Sequence, residues 1–541
     1  MQARQVMPRL KYAFNRIDWE LLLFLVLFLN VKLIIKVIAL AFQYLIRPDF
    51  KFGFRLKSSP LPIFYPLMIF IGILNTIMYT GYKDHHYLMS IATGISFWLM
   101  CILAIHQLKK ITESKDPQRI YFTLITFFLI NFSISLIILL KIIIETGSIN
   151  PYQYQGLYQK YFINTGDYIK GVTFDTSTTN AAINALGIVY FFFRKNNFMV
   201  FVCMFTLLIT GSNLINLLLF AVFGYLFVFR SNANQKSIML SCFMMLIVFL
   251  GKVSPQNYSY LTGTLNSVVL HKDDPATPVV LPKRIQDLPD SVLDPEQRKQ
   301  KTALLYLDSI GTLRYLKELA AHQIEVYGGK SLIVKPEIPH DNIHTPPFQH
   351  KDDTTSAEQE LRKFMAIHQK SIPNIETSPK IPGKIIAFQQ SFAYLAYNPG
   401  YIFTGTGIGR FSSKLAFRTS GLSLAGGYPQ KFTYIDPAFL QNHLGLYLNF
   451  FARQEKMHSI TNTPFSVYDQ ILTEYGLAGF VAFLLFYLGY FFKKSRHNDY
   501  GIPMIMLLIG LLFIDYWFEQ LSVIDLFDLM MLHNKENIRT L

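Results

Sequence analysis

Long apolar runs separated by short basic stretches dominate the chain. With about 20 apolar residues per membrane crossing, the pattern predicts spans at 62–80, 87–106, 120–143, 178–193, 198–210, 213–229, 237–252, 470–492 and 501–518. Segments 198–210 and 213–229 are short, which predicts tilt or a hinge at Gly211-Ser212-Asn213. The first apolar stretch, 19–46, carries Asn30 and Lys32 at its middle. It is either one span or two half-length helices folded as a hairpin. The path of 519–541 stays open. Asp515, Glu519, Asp525 and Asp528 are costly in lipid, so protein or water is expected around them.

Basic residues between the apolar runs set an orientation. Arg47, Lys51, Arg55 and Lys57, then Lys109, Lys110, Lys115 and Arg119, then Arg194 and Lys195, Arg230 and Lys236, and finally Lys493, Lys494 and Arg496 mark cytoplasmic loops. From 62 onward the spans alternate consistently with that marking. Segments 145–177 and 253–466 then lie outside. A hairpin at 19–46 keeps the N-terminus, with Arg4, Arg9, Lys11 and Arg16, inside. A cleavable signal peptide is not expected, because the apolar run is long and no small-residue cleavage site follows it.

The expected fold class is therefore an all-α polytopic membrane protein with about ten to twelve crossings. It divides into an N-terminal transmembrane bundle over 1–252, an external, mainly helical loop domain over 253–466, and C-terminal transmembrane helices over 467–541. Within the external domain, Asp294 and Pro295 start a helix that Gly328-Gly329 ends. Ser356 and Gln359 start another, which ends before Pro373. The run HKDD occurs at 271–274 and at 350–353 and reads as solvated loop.

Composition agrees with the apolar pattern. Of 541 residues, 51% are hydrophobic and only 16% charged, against about 25% charged in soluble domains. Mean hydropathy is +0.28. The net charge of +15 suits contact with anionic lipid or lipid phosphate. Nucleic acid is excluded as a partner, because the cations are scattered through loops between apolar segments. Cys101, Cys203 and Cys242 all sit in apolar segments without a CxxC or Cys/His cluster. Neither disulfides nor a metal site is expected.

The candidate chemistry lies between Pro399 and Gly479. The stretch TGTGIGRFSSKLAFR, 404–418, has GxGxG spacing and no dinucleotide context. Its functional reading is a backbone turn that brings amides and cations to an anion. Arg410, Lys414 and Arg418 repeat at i, i+4 and i+8, which on a helix gathers them near one face. Further on, PFSVYDQILTEYGLAGF, 464–480, puts Ser466, Asp469, Gln470 and Glu474 into the entry turns of a span. That segment is either an interfacial helix start or a polar wall of a membrane-surface site.

Several of these stretches together resemble the O-antigen ligase and polymerase superfamily. GKIIAFQQSFAYLAYNPGYIFTGTGIGRF, followed by SVYDQILTEYGLAGFVAFLLFYLGYFF, is similar to the second half of that family. KGVTFDTSTTNAAINALGIVYFF, with Gly171, Phe174, Asn180 and Ala181, is similar to its G-x-F-x-x-x-N-x-x-A span start. LLITGSNLINLLLF is similar to its T-G-S-R junction. The resemblance covers roughly 160–230 and 383–492. The ligase His position falls on Phe465-Ser466, the junction Arg is Asn213, and Lys170 is the cation nearest the family's external Arg.

The resemblance implies inverting glycan transfer or polymerisation outside a bacterial cytoplasmic membrane. The implied donor is an undecaprenyl-pyrophosphate-linked glycan, held in a lipid-open groove, with no cofactor. Arg410, Lys414 and Arg418 would meet the pyrophosphate, with Lys170 and Lys384 in reserve. His443 or His458 would be the general base, with Asp469 and Glu474 as further candidates. Tyr394, Tyr397 and Tyr428 are sugar-stacking candidates. Polymerase and ligase differ in acceptor, and the missing ligase His slightly favours polymerase. Two other classes stay open. One is a transporter using Asp515, Glu519, Lys32 and Lys36, against which the sequence shows neither an internal repeat nor paired broken helices. The other is a non-catalytic partner of polysaccharide-assembly proteins.

Overall fold

The computed structural model describes residues 16–55, 59–79, 81–153, 168–254, 382–420, 432–446, 463–495 and 499–533. All belong to the unit that 1–268 and 363–541 form together. The helices expected after Asp294 and Ser356, both HKDD runs, Tyr428 and His458 lie outside the described residues. Among those described, there are helices and no strand.

The first apolar stretch is two helices, α1 (Trp19–Phe28) and α2 (Leu33–Ile46). Asp18 caps α1 by accepting the Leu21 amide at 3.1 Å. The chain breaks at Leu29–Lys32, where the Val31 amide donates to the Thr173 carbonyl. It then runs back. The Gln43 amide group donates to the Glu20 carbonyl, and Arg47 pairs with Glu20 at 3.0 Å. The beginning of α1 and the end of α2 therefore share one face, so the stretch is a hairpin rather than one span.

Next come α3 (Phe64–Met78), α4 (His85–Ser114) and α5 (Pro117–Thr146). Asp84 caps α4 through the His86 and Tyr87 amides. Asp116 caps α5 with Pro117 in the first turn, and Gly147 at φ 63° ends it. Basic side chains collect where α4 ends and α5 begins. Lys115 pairs with Asp18 at 2.9 Å, Lys110 with Asp49 at 2.7 Å and Lys109 with Glu113 at 3.2 Å. The 30 residues of α4 place its Asp84 end about 45 Å from this basic face.

A tight corner precedes α6 (Ser177–Phe193). Gly171 has φ 59°, and a Cβ there would run into Asn131 and Asn180. The Asn131 side chain donates to Asn180 at 2.8 Å and accepts the Val172 amide at 2.9 Å. The Gly171…Asn180 motif is thus a packed polar corner. Residues 177–192 of α6 are all buried, as expected of a helix at the centre of a bundle. α7 (Asn197–Ile209) and α8 (Asn213–Phe229) meet at Gly211, φ 70°, the expected hinge. α9 (Ala233–Val253) ends in a π turn.

After 381 the chain packs back into this bundle with α10 (Gly383–Tyr397), α11 (Lys414–Thr419), α12 (Pro437–Asn442) and α13 (Val467–Glu474). α14 (Gly476–Ser495) follows. The predicted span 501–518 is not one crossing. α15 (Gly501–Leu512) stops, α16 (Trp517–Gln520) is a single turn, and α17 (Ser522–Leu532) returns. The Tyr500 hydroxyl, at the start of α15, lies within hydrogen-bond distance of Met530 O at 2.7 Å and of His533 O, at the end of α17. His533 reaches Pro117 O at 2.9 Å and Arg194 at 3.2 Å. This second hairpin therefore also opens at the basic face.

The two hairpin tips meet. Ser522 Oγ donates to Leu29 O at 2.8 Å, and Lys36 Nζ donates to Phe28 O at 2.6 Å and to Ser522 Oγ at 3.1 Å. Two short-helix hairpins, from distant parts of the chain, thus touch at their tips. Among the described residues, four helices, α4, α5, α9 and α14, are long and apolar enough to cross a membrane. Apolar side chains such as Ile137, Ile144, Phe198 and Val228 are exposed along the bundle. The arrangement suits a multi-pass membrane protein.

Candidate functional site

At the end of the bundle opposite the basic face, the Gly-rich turn is knitted onto α13 and the start of α14. Thr406 and Gly407 amides donate to Thr473 O and Glu474 O, and Leu477 and Ala478 amides donate to Ile402 O and Phe403 O. Asn75 of α3 donates to Thr404 O at 3.2 Å and Gly405 O at 2.5 Å. Gly407 has φ 109°, and a Cβ there would lie 2.6 Å from both Asn75 Oδ1 and the Tyr87 hydroxyl. Only glycine fits this approach.

The turn does hold an anion, and that anion is Glu474. Its Oε2 accepts the Gly409 amide at 2.8 Å. Its Oε1 accepts the amides of Phe411, Ser412 and Ser413 at 3.1, 3.1 and 3.0 Å. Burial pushes the Glu474 carboxyl up, while the Gly409, Phe411 and Ser413 bonds pull it down. These four donors are occupied within the protein. The sequence expectation that they face a phosphate is corrected accordingly, and Glu474 is a structural carboxylate rather than a candidate base.

The three cations do not share a helix face. Helix α11 begins at Lys414 behind the Ser413 cap, so Arg410 lies in the turn before it. Arg410 Nε meets Asp436 Oδ2 at 2.6 Å, its Nη1 reaches Thr406 O at 3.4 Å, and its guanidinium lies 5.0 Å from the Tyr87 ring centre. Asp436 also accepts from the Tyr434 hydroxyl at 3.0 Å and caps α12 through the Ala438 amide at 2.8 Å. Burial opposes the Arg410 charge, but Asp436, Tyr434 and Tyr87 outweigh it and raise its value further. Arg410 is 22% exposed. It lines an open pocket of about 520 Å³ with Lys83, Asp84, His85, His86, Tyr87 and Tyr434.

Lys414 is buried and Arg418 half-buried. Both act electrostatically on Glu519. Lys384 is buried, and its Nζ lies within hydrogen-bond distance of Thr463 Oγ1 at 2.9 Å, Ile514 O at 2.8 Å and Phe465 O. Burial presses it down to about 7, opposed by the Asp515 and Asp469 carboxylates. Lys170 opens the Gly171–Thr173 turn, whose Thr173 carbonyl holds Val31. It belongs with the first hairpin's tip, and neither Lys170 nor Lys384 lines the Arg410 pocket. Of the acids named for the transporter alternative, Glu519 accepts from Gln470 at 2.6 Å and Asp515 from Gln520 at 2.9 Å.

Two candidates named separately as bases come together. His443 Nε2 lies 3.1 Å from Asp469 Oδ2, with side chains 0% and 1% exposed. Phe411 packs on the imidazole at 4.8 Å between ring centres. In the tautomer whose Nε2–H donates to Asp469, Nδ1 keeps its lone pair. Nδ1 has no partner among the described residues. His443 ends the short helix that Asp436 begins. The Arg410–Asp436 and His443–Asp469 pairs thus sit about 10 Å apart along one helix axis. Asp436 is the residue whose role sequence reasoning missed. Its only signal was that it is the single acid in a cationic stretch.

No family model matches the chain, nor does any curated protein or solved structure.

Proposed function

We propose that the chain transfers or polymerises an undecaprenyl-pyrophosphate-linked glycan at the outer face of a bacterial cytoplasmic membrane, as the family resemblance implies. The observation that carries this reading is Arg410. It stands on the wall of an open pocket with Lys83, His85 and His86, at the end of the bundle away from the basic face. There it can meet a lipid diphosphate, since a guanidinium is the side chain best matched to phosphate.

In the proposed reaction the acceptor hydroxyl attacks the anomeric carbon. Its proton passes to His443 Nδ1, oriented by Asp469, once the wall that buries this imidazole opens to the pocket. The bond from the anomeric carbon to the pyrophosphate oxygen breaks. The polyprenyl pyrophosphate leaves with that electron pair, and Arg410 stabilises the charge. The acceptor decides between polymerase and ligase: a second lipid-linked glycan or a lipid A core. Purified protein in proteoliposomes, given lipid-linked glycan, tests this by release of polyprenyl pyrophosphate. Arg410→Ala turning over at the wild-type rate would remove the diphosphate assignment.

The carrier reading is favoured by one observation, the meeting of two short-helix hairpins from opposite ends of the chain. Uptake of a solute into the same proteoliposomes without glycan turnover would select it.

A further inference from the structure

The hairpin junction contains a carboxyl group that no donor meets among the described residues. Asp525 lies one turn into α17, is 1% exposed, and neither of its carboxylate oxygens meets a donor among the described residues. Every residue of α17 from Ser522 to Leu532 is buried. A bare carboxylate in such surroundings is strongly disfavoured and is normally neutralised by a proton or an ion. Its neighbour Asp528 is different. It accepts from Tyr65 at 3.0 Å and Tyr487 at 3.2 Å, one hydroxyl on each oxygen.

Asp525 is the carboxylate that acts most strongly on Lys36, yet no carboxylate oxygen lies within 4.0 Å of Lys36 Nζ among the described residues. The ammonium is held instead by Phe28 O and Ser522 Oγ. Phe28 and Leu29 are the C-terminal end of α1, where unpaired carbonyls favour a cation. The other titratable groups around the junction are Cys101 on α4, Asp175 before α6 and Lys494 on α14. Tyr190 and Arg194 of α6, and Tyr500 of α15, sit at the far end with His533. Among the described residues, two of the three non-glycine residues with positive φ adjoin the tips: Phe174 at 52° and Leu521 at 71°. Such strain tends to persist where an element has a task.

The geometry points to Asp525 as a proton-binding residue at the junction of the two hairpins, with Lys36 as the charge coupled to it. With the proton on Asp525, the carboxyl is neutral and the ammonium stays on Phe28 O and Ser522 Oγ. When that proton leaves to water, the carboxylate attracts the ammonium, which lets go of Ser522 and loosens the tip-to-tip contact. The site stands independently of glycan transfer.

Infrared difference spectra of the full-length protein in proteoliposomes, titrated from about pH 5 to about pH 9, test it. A carboxylic C=O absorption is expected that bleaches as pH rises. Asp525→Asn should remove it, Asp525→Glu should shift it, and Asp528→Asn should leave it in place. Lys36→Met should move the midpoint up by about one pH unit or more, a factor of ten in proton affinity. If Asp525→Asn does not fold, Asp525→Glu decides. An absorption unchanged by Asp525→Glu, or a midpoint unchanged by Lys36→Met, overturns the assignment. Bleaching at fixed pH when sodium replaces potassium also overturns it and makes the ligand a metal cation.

Discussion

Glu474 accepts the Gly409 amide at 2.8 Å and, through its other oxygen, three more amides of the same turn. A loop that reads in sequence as an anion cradle is closed by the protein's own carboxylate. This fixes the turn against α13 and positions Arg410 at the pocket. Glu474→Gln is nearly isosteric but sets an NH2 group against an N–H donor. A loss of about 2–4 kcal/mol is expected, from one unmet amide and the lost charge assistance. Thermal melting in detergent measures it, and a melting temperature equal to wild type would remove the cradle's structural role.

Arg410 and lysine are not equivalent here. Arg410 bonds Asp436 through Nε while its guanidinium lies by Tyr87, and an ammonium cannot do both. Arg410→Lys should retain folding yet lower polyprenyl pyrophosphate release about tenfold or more. Arg410→Ala should lower it about 10²-fold. Equal rates in both variants would show that charge geometry at this position is irrelevant.

The His443–Asp469 pair makes a separate prediction. His443→Gln keeps a polar side chain beside Asp469 but no group that accepts a proton near neutral pH. Turnover should fall about 10²-fold or more, with the melting temperature within a few degrees of wild type. Asp469→Asn should fall less and shift the pH profile, because the imidazole remains. Loss of folding in His443→Gln with full activity in the folded fraction would make the pair structural.

Lys384 links α10 to the segments at Phe465 and Ile514. Lys384→Met leaves three oxygens without their donor, and a loss of about 3 kcal/mol or more is expected. Burial depresses its folded value from 10.5 to about 7. The linked stability is therefore complete above the unfolded value and lost as pH falls through about 7. Melting temperature should drop between about pH 10 and about pH 7 in wild type, and less in Lys384→Met. An identical slope in both proteins would exclude Lys384 as its source.

The sequence by itself determined the helical, membrane-type character of the chain, because apolar run length is a local property that the bilayer reads directly. It determined the basic face too: Arg47, Lys110 and Lys115 fall together, as their spacing between apolar runs implies. The hinge at Gly211 was legible for the same local reason. Only the tertiary structure decided that 501–518 turns back, because its break at Phe513–Tyr516 contains no proline or glycine. It also decided that Glu474 occupies the cradle, that Arg410 leaves Lys414 and Arg418, and that His443 finds Asp469. Each of these joins residues that are neighbours in space alone. Composition can place a carboxylate beside a span, but the partner that meets it is chosen by packing.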